Sequence, residues 1–256
     1  MKYLLLTFVA AIALQLGAGP TARAQTTAPA AAYTGPRYPG GPDSLRALVY
    51  RSTQASAPAP AGKVLVQFDL PNGQQPNNFK LLPTTGPINI PLLNAAAASL
   101  SYLETHMAAW QPASTGAEAS ATGKFTNSLV LDFSTPMAAQ PYAYADTQPS
   151  FPIPGRNRLP VVGGASPESL ARYIQMQVRY PVEALRAQQE GRVYAYFEVA
   201  ENGNLENHAI VSTAGKFLDA TVLQAVRKLP AALTPALTQG KPVRIYYIMP
   251  ITFAIQ

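Results

Sequence analysis

Tyr180-Pro181-Val182-Glu183-Ala184, Gly191-Arg192-Val193-Tyr194-Ala195-Tyr196-Phe197-Glu198-Val199, Asn202-Gly203, Gly240-Lys241-Pro242-Val243 and Met249-Pro250-Ile251-Thr252-Phe253 are the fixed points of residues 180–255. Residues 192–199 alternate: Val193, Ala195, Phe197 and Val199 fall on one face, and Tyr194, Tyr196 and Glu198 on the other. That period of two predicts a strand with one buried face. Asn202-Gly203 suits a tight hairpin turn, because both residues accept positive φ. The return strand is then 205–212, with Ala209 and Val211 inward. Leu218, Val222, Ala225, Val226 and Leu229 recur at helical spacing, and Pro230 stops the helix 217–229. Val243, Ile245, Tyr247, Met249, Ile251, Phe253 and Ile255 keep one parity and predict a last strand over 243–255. Ser166 caps a helix begun by Pro167, and Pro181 opens a second, short one. The whole predicts a small α+β unit: a three-stranded antiparallel sheet with helices on one face. Its open face would show Tyr194, Tyr196, Tyr246 and Ile248. Strand 243–255 would be an edge with unpaired backbone groups.

Working outward, the N-terminal half repeats the pattern. Gly40-Gly41-Pro42-Asp43-Ser44-Leu45 returns as Gly163-Gly164 followed by Pro167-Glu168-Ser169-Leu170. Gly62-Lys63-Val64-Leu65-Val66-Gln67-Phe68-Asp69-Leu70 returns as Gly191 to Val199, and Asn72-Gly73 as Asn202-Gly203. Each half ends in a strand closed by Phe133 or Phe253. The expectation is two copies of one domain, the first degenerate: 37–133 and 159–256. Pro136, Pro141, Pro149, Pro152 and Pro154 make 134–158 an extended linker. Residues 25–36, rich in Ala, Thr and Pro, are expected to be flexible. Residues 1–24 have the form of a secretory signal peptide: Lys2, an apolar run Tyr3–Leu16, and Ala22-Arg23-Ala24 before Gln25. An uncleaved anchor is the alternative, although the run is short for a membrane span.

Composition narrows the function. The 256 residues are 48% apolar and 12% charged. Lys2 and Arg23 lie in the leader, leaving +4 of the formal +6. That balance, without a Lys/Arg run, argues against nucleic acid. The chain has no Cys and two His, His106 and His208, so thiolate metal sites, disulfides and Cys nucleophiles are excluded. No Gly-x-Ser-x-Gly elbow and no glycine-rich phosphate loop occurs. No catalytic residue, cofactor or metal is expected. His208 is expected to be solvated, His106 without a role, and Trp110 in the core.

The pieces Tyr180-Pro181-x-x-Ala184, Gly191-x-Val193, Phe197, Asn202-Gly203, Leu218-Asp219-x-x-Val222, Pro235, Gly240-Lys241-Pro242-Val243 and Pro250-Ile251-x-Phe253 resemble, in that order, the TonB C-terminal domain family of envelope proteins. The first copy has no Tyr-Pro helix between Tyr50 and Gly62. The resemblance implies two TonB-C-like domains in a periplasmic, non-enzymatic protein that takes an extended peptide as an added strand. In TonB that peptide is the plug region of an outer-membrane transporter. In TonB, too, an N-terminal transmembrane helix with a His-bearing face engages a proton channel; residues 1–24 contain no His.

The residues expected to carry binding are Val243, Arg244, Ile245, Tyr246, Tyr247 and Ile248 on the edge strand, with Tyr194 and Tyr196 as a further contact face. The expected partner is an outer-membrane transporter peptide or another envelope protein; a homodimer is also compatible. Two other readings stay open: a scaffold whose domains dock or dimerise, and a full energy transducer with an uncleaved anchor.

Overall fold

The computed structural model describes residues 31–55, 61–71, 75–113, 124–152 and 167–255. The leader 1–24, the Asn72-Gly73 turn, Ser166 and part of the linker lie outside the described residues.

The first unit runs α1 (Gly41–Thr53), β1 (Lys63–Pro71), β2 (Asn77–Leu81), α2 (Ile90–His106) and β3 (Lys124–Asp132). The second runs α3 (Pro167–Gln177), α4 (Val182–Arg186), β4 (Gly191–Val199), β5 (Leu205–Ser212), α5 (Lys216–Arg227), β6 (Ala236–Thr238), β7 (Lys241–Val243) and β8 (Ile245–Phe253). Each unit has a three-stranded antiparallel sheet with its first strand in the centre, in the orders β2-β1-β3 and β5-β4-β8. Helices cover one face of each. In the second unit Leu170, Ile174, Ala184, Leu218, Val222 and Val226 pack on Val193, Ala195, Phe197 and Val199. In the first, Leu45, Val49, Ala96 and Leu103 pack on Val64, Val66 and Phe68, with Trp110 4% exposed in that core.

The β4–β5 hairpin shows why local chemistry decides the register. Gly203 has φ +85°, and a Cβ there would lie 2.7 Å from the Ala232 carbonyl oxygen, so only glycine fits. Asn207 has φ +53°, a left-handed conformation Asn tolerates better than most residues. It sits in a bulge between the pairs Glu198↔Glu206 and Tyr196↔Ala209, and the extra residue reverses the parity of Ala209 and Ile210 before a second shift between Ala195↔Ile210 and Tyr194↔Ser212. Ile210 therefore faces the helices, while Ala209 and Val211 join the opposite face; the expected inward pair is corrected by this bulge. The first unit repeats the device. Asn78, at φ +55°, sits in the β1–β2 bulge between Asp69↔Asn77 and Gln67↔Lys80.

Three expectations change at tertiary level. The last strand does not run unbroken from Val243: β7 leaves the sheet to pair with β6, and Arg244 is the joint. Residues 134–152 are extended but not a free linker. After a 3₁₀ turn at Met137–Ala139, Tyr142 bridges Ile245, Thr147 bridges Leu237 and Ser150 bridges Thr234. Phe151 is 1% exposed in the second core. At the N-terminal end, Ala32 also bridges Thr147 and the Tyr33 ring stacks on Tyr144 at 4.7 Å, so 31–36 is pinned rather than flexible. Pro-rich composition sets an extended backbone; it does not say whether that backbone finds a sheet edge to join.

The two sheets pack face to face. Leu65 and Val130 of the first unit meet Tyr194, Tyr196, Val211 and Tyr246 of the second in one buried cluster. The layers are therefore helices, sheet, sheet, helices.

Candidate peptide-binding edge

The tyrosine face is not open. Tyr194, Tyr196 and Tyr246 are all buried under the first sheet. The Tyr194 hydroxyl accepts from Gln67 Nε2 at 2.9 Å, and the Tyr246 hydroxyl from the Val130 N–H at 3.4 Å. The Tyr196 and Tyr246 rings stack at 5.6 Å, and the Lys63 ammonium lies over the Tyr196 ring at 5.2 Å. Tyr194 and Tyr196 are thus an internal surface, which corrects their expected role as a contact face. A half-amphipathic strand cannot reveal from its own sequence that a second sheet covers its other side.

A buried charge network flanks this surface. Glu198, 3% exposed, accepts from the Tyr196 hydroxyl at 2.6 Å, from Asn207 Nδ2 at 2.8 Å and from Arg244 at 3.0 Å. Arg244 also donates to Glu206 at 2.6 Å and lies 3.7 Å from Glu201. Burial, then the bond to Glu198, push the Tyr196 phenol far above its ordinary range, so it stays a neutral donor. The Glu206 bond foremost raises the Arg244 guanidinium against the opposing effect of burial. Arg244 is therefore occupied holding three carboxylates, not presented to a partner. Lys63 pairs with Asp132. Burial raises that carboxyl, but the Lys63, Ser134 and Thr135 hydrogen bonds outweigh it and hold it low. A cleft of about 930 Å³ between the units is lined by Arg46, Lys63, Tyr142, Glu198, Glu206 and Arg244 among others. His208 lines the same cleft and stacks near Phe197 at 6.1 Å. It is half-buried rather than solvated, and burial, then Arg227, lower its pKa.

The strand β8 itself lies at the end of its sheet. It pairs with β4 from Val199↔Ile245 to Gly191↔Phe253 without a shift. The side chains of Ile245 and Tyr247 are buried in the second core, and Val243 belongs to β7. Tyr247 stacks on Phe197 at 5.5 Å and donates to Gln148 at 3.1 Å. Ile248 is half-buried against the inter-sheet cluster, so its side chain points into a second core rather than to solvent. What remains for a partner is backbone. The Tyr246 N–H donates to the Tyr142 carbonyl at 3.0 Å, which fixes which groups point away from β4. Backbone groups alternate sides along a strand, so Ile248, Pro250 and Thr252 also present theirs outward. Pro250 has no N–H to offer, and a proline in mid-strand is tolerated at such an edge. The Thr252 carbonyl accepts from Gln175 Nε2 at 3.3 Å. Among the described residues nothing bonds the Ile248 N–H, which is the outward donor between the Tyr142 rung and Thr252.

The residues missed by sequence reasoning are Tyr142, Asp43 and Arg46. The Tyr142 hydroxyl donates to Asp43 at 2.6 Å, and the Arg46 guanidinium lies over its ring at 4.0 Å. Burial and the Asp43 bond push the Tyr142 phenol up to about 12. The signal was the alternation Tyr142-Ala143-Tyr144-Ala145, a strand-like pattern inside a stretch dominated by prolines.

With this geometry, residues 176–255 match the family described as Gram-negative bacterial TonB protein C-terminal. Among solved structures, the solution structure of Helicobacter pylori TonB-CTD (residues 179–285) is 25% identical over 36% of this chain and 86% of that one, with a TM-score of 0.30. A shorter form (residues 194–285) is 18% identical over 34% and 90%, with a TM-score of 0.26. No curated protein matches the chain. Residues 176–255 are therefore similar to TonB C-terminal domains.

Proposed function

We propose that this chain is a non-enzymatic cell-envelope protein of TonB-dependent transport, in which an extended peptide of an outer-membrane transporter pairs as an added strand with β8. One observation carries this reading: β8 is an edge strand whose outward N–H at Ile248 has no partner among the described residues. Strand addition draws its affinity from such main-chain groups. The partner surface is narrower than the sequence suggests. It is the backbone from Tyr246 to Pro250, with no contribution from the buried Tyr194 and Tyr196. The first unit, in this reading, is a degenerate copy of the same domain that has become the cover of the second. The equal strand orders and the matching bulges at Asn78 and Asn207 support that descent.

The scaffold reading has one observation in its favour, the face-to-face docking of the sheets. Among the described residues no helix is long and apolar enough to cross a membrane. The transducer reading rests on residues 1–24, outside the described part.

Ile248→Pro tests the function. It removes the outward N–H while leaving the β4 ladder intact, since Ile248 does not bond β4. Binding of a synthetic transporter plug-region peptide should fall at least tenfold, with the circular dichroism spectrum unchanged. Equal binding by a folded variant would refute the β8 edge as the site.

A further inference from the structure

We infer that the chain carries its own competitor for this edge: the strap around Tyr142 occupies the first rung of β8, and a transporter peptide must displace it to pair along the full strand. The inference rests on the strand-addition reading above. Tyr142 pairs with Ile245 in parallel. Its N–H donates to the Arg244 carbonyl at 2.9 Å, and its carbonyl accepts from the Tyr246 N–H at 3.0 Å. Both backbone groups of Tyr142 are thus used as an added strand would use them.

The strap makes a single rung and then leaves. A second rung would place Tyr144 beside the Tyr246 carbonyl and the Ile248 N–H. Instead Tyr144 turns into the first core, where it stacks on Tyr33 and its hydroxyl accepts from the Tyr38 N–H at 3.0 Å. Tyr142 packs against the edge of the second unit's core, and α1 adds its own grip. Asp43 takes its hydroxyl, Arg46 covers its ring, and Arg46 also donates to the Gln140 carbonyl at 3.3 Å. The Asp43 carboxylate is half exposed, while the Arg46 side chain is only 19% exposed, so solvent weakens the Asp43 side of this hold most. The flanking anchors are firmer: Gln140 Nε2 donates to the Asp132 carbonyl at 3.0 Å, and Phe151 is buried. A weakly held segment between firm anchors can lift off the edge and return without the units separating, and its tether keeps its local concentration high.

A tethered occupant lowers the apparent affinity of any ligand for the same groups by the fraction of molecules with the strap released. The first unit therefore sets the affinity of the second through Asp43 and Arg46. Loosening α1's hold should tighten peptide binding, although neither side chain touches the peptide groups of β8.

The experiment uses the full chain and a fluorescent synthetic plug-region peptide. Asp43→Ala with Arg46→Ala frees the Tyr142 ring and leaves its backbone unchanged. The double variant should bind about three- to tenfold more tightly than wild type. In wild type, adding peptide should speed hydrogen exchange at the Tyr142 amide as the strap leaves. Equal affinities, with Ile248→Pro still abolishing binding, would overturn the competitor while leaving strand addition intact. Slower exchange at Tyr142 on peptide binding would also overturn it, because the peptide would then add beside a seated strap. Binding by none of these proteins would overturn both.

Discussion

The hairpins of the two units use the same device and put it to different ends. In each, an Asn nine residues after a carboxylate adopts a left-handed conformation and donates to it at 2.8 Å: Asn78 to Asp69, and Asn207 to Glu198. In the first unit the pair lies at the surface, and Asp69 also accepts from Thr126 at 3.0 Å. In the second the carboxylate is buried and drawn into the network with Tyr196 and Arg244. The backbone solution has been kept in both, whereas the electrostatic demand differs. The first unit supplies a cover and, through α1, part of the hold on the Tyr142 strap; the second keeps the charged joint at Arg244, at the head of its edge strand.

The comparison breaks most visibly if the units are separated. Residues 159–256 alone should still fold, because all three strands and their helices lie within that span, but with a core that lacks Ala145 and Phe151. The fragment would expose Tyr194, Tyr196, Val211 and Tyr246, an apolar patch of the kind that drives association. Thermal melts should show a cooperative but lower transition than the full chain, and sedimentation should show self-association. A fragment that melts like the full chain and stays monomeric would mean that the sheet–sheet contact and the 142–151 strap both contribute little.

A smaller effect is expected at the joint. Arg244→Ala leaves Glu198 buried with its charge uncompensated and should cost about 3 kcal/mol in denaturant unfolding. A cost within measurement error would mean that Glu198 takes up a proton or reaches water. Smaller still is the contrast between the two asparagines. Asn207→Ala should cost about 2 kcal/mol, combining a strained φ with a lost bond to a buried charge, whereas Asn78→Ala should cost about 1 kcal/mol. Equal losses would show that the backbone alone matters at both sites. The smallest effect is in acid. Lys63 and its neighbours hold the Asp132 carboxyl below its ordinary 3.8, so the native state binds that proton less readily than the unfolded chain. The resulting stability is complete above pH 3.8 and is lost as the pH falls through the lower native value. Lys63→Ala should shallow this acid limb in unfolding titrations; an unchanged slope would remove Asp132 from the account.

Much of the fold was legible because it is local. The alternation of Val193 to Val199, the Gly203 turn and the spacing of Leu218, Val222 and Val226 each act within a few residues of one another. The repeat predicted a like sheet in each half, but the central place of each first strand is set by pairing across the whole unit. The site was legible only in outline. The edge strand could be read from the parity of Ile245 to Phe253, but burial of Tyr196 depends on Leu65 and Val130 from the other half of the chain. The break at Arg244 was hidden because Val243 keeps the parity of the strand that it leaves. The Tyr142 strap was hidden because prolines mark extended chain without marking its partner. The left-handed Asn207 was hidden too, since nothing in Glu206-Asn207-His208 distinguishes a bulge from a regular strand.

The central claim is that β8 offers its backbone at Ile248 to an incoming strand. Amide hydrogen exchange of the full chain, resolved at single residues, tests it with and without a synthetic plug-region peptide. The account predicts that the Ile248 amide exchanges readily in the free protein and becomes strongly protected when the peptide binds. A bound peptide that leaves Ile248 exchanging as before, while protecting amides elsewhere, would contradict it.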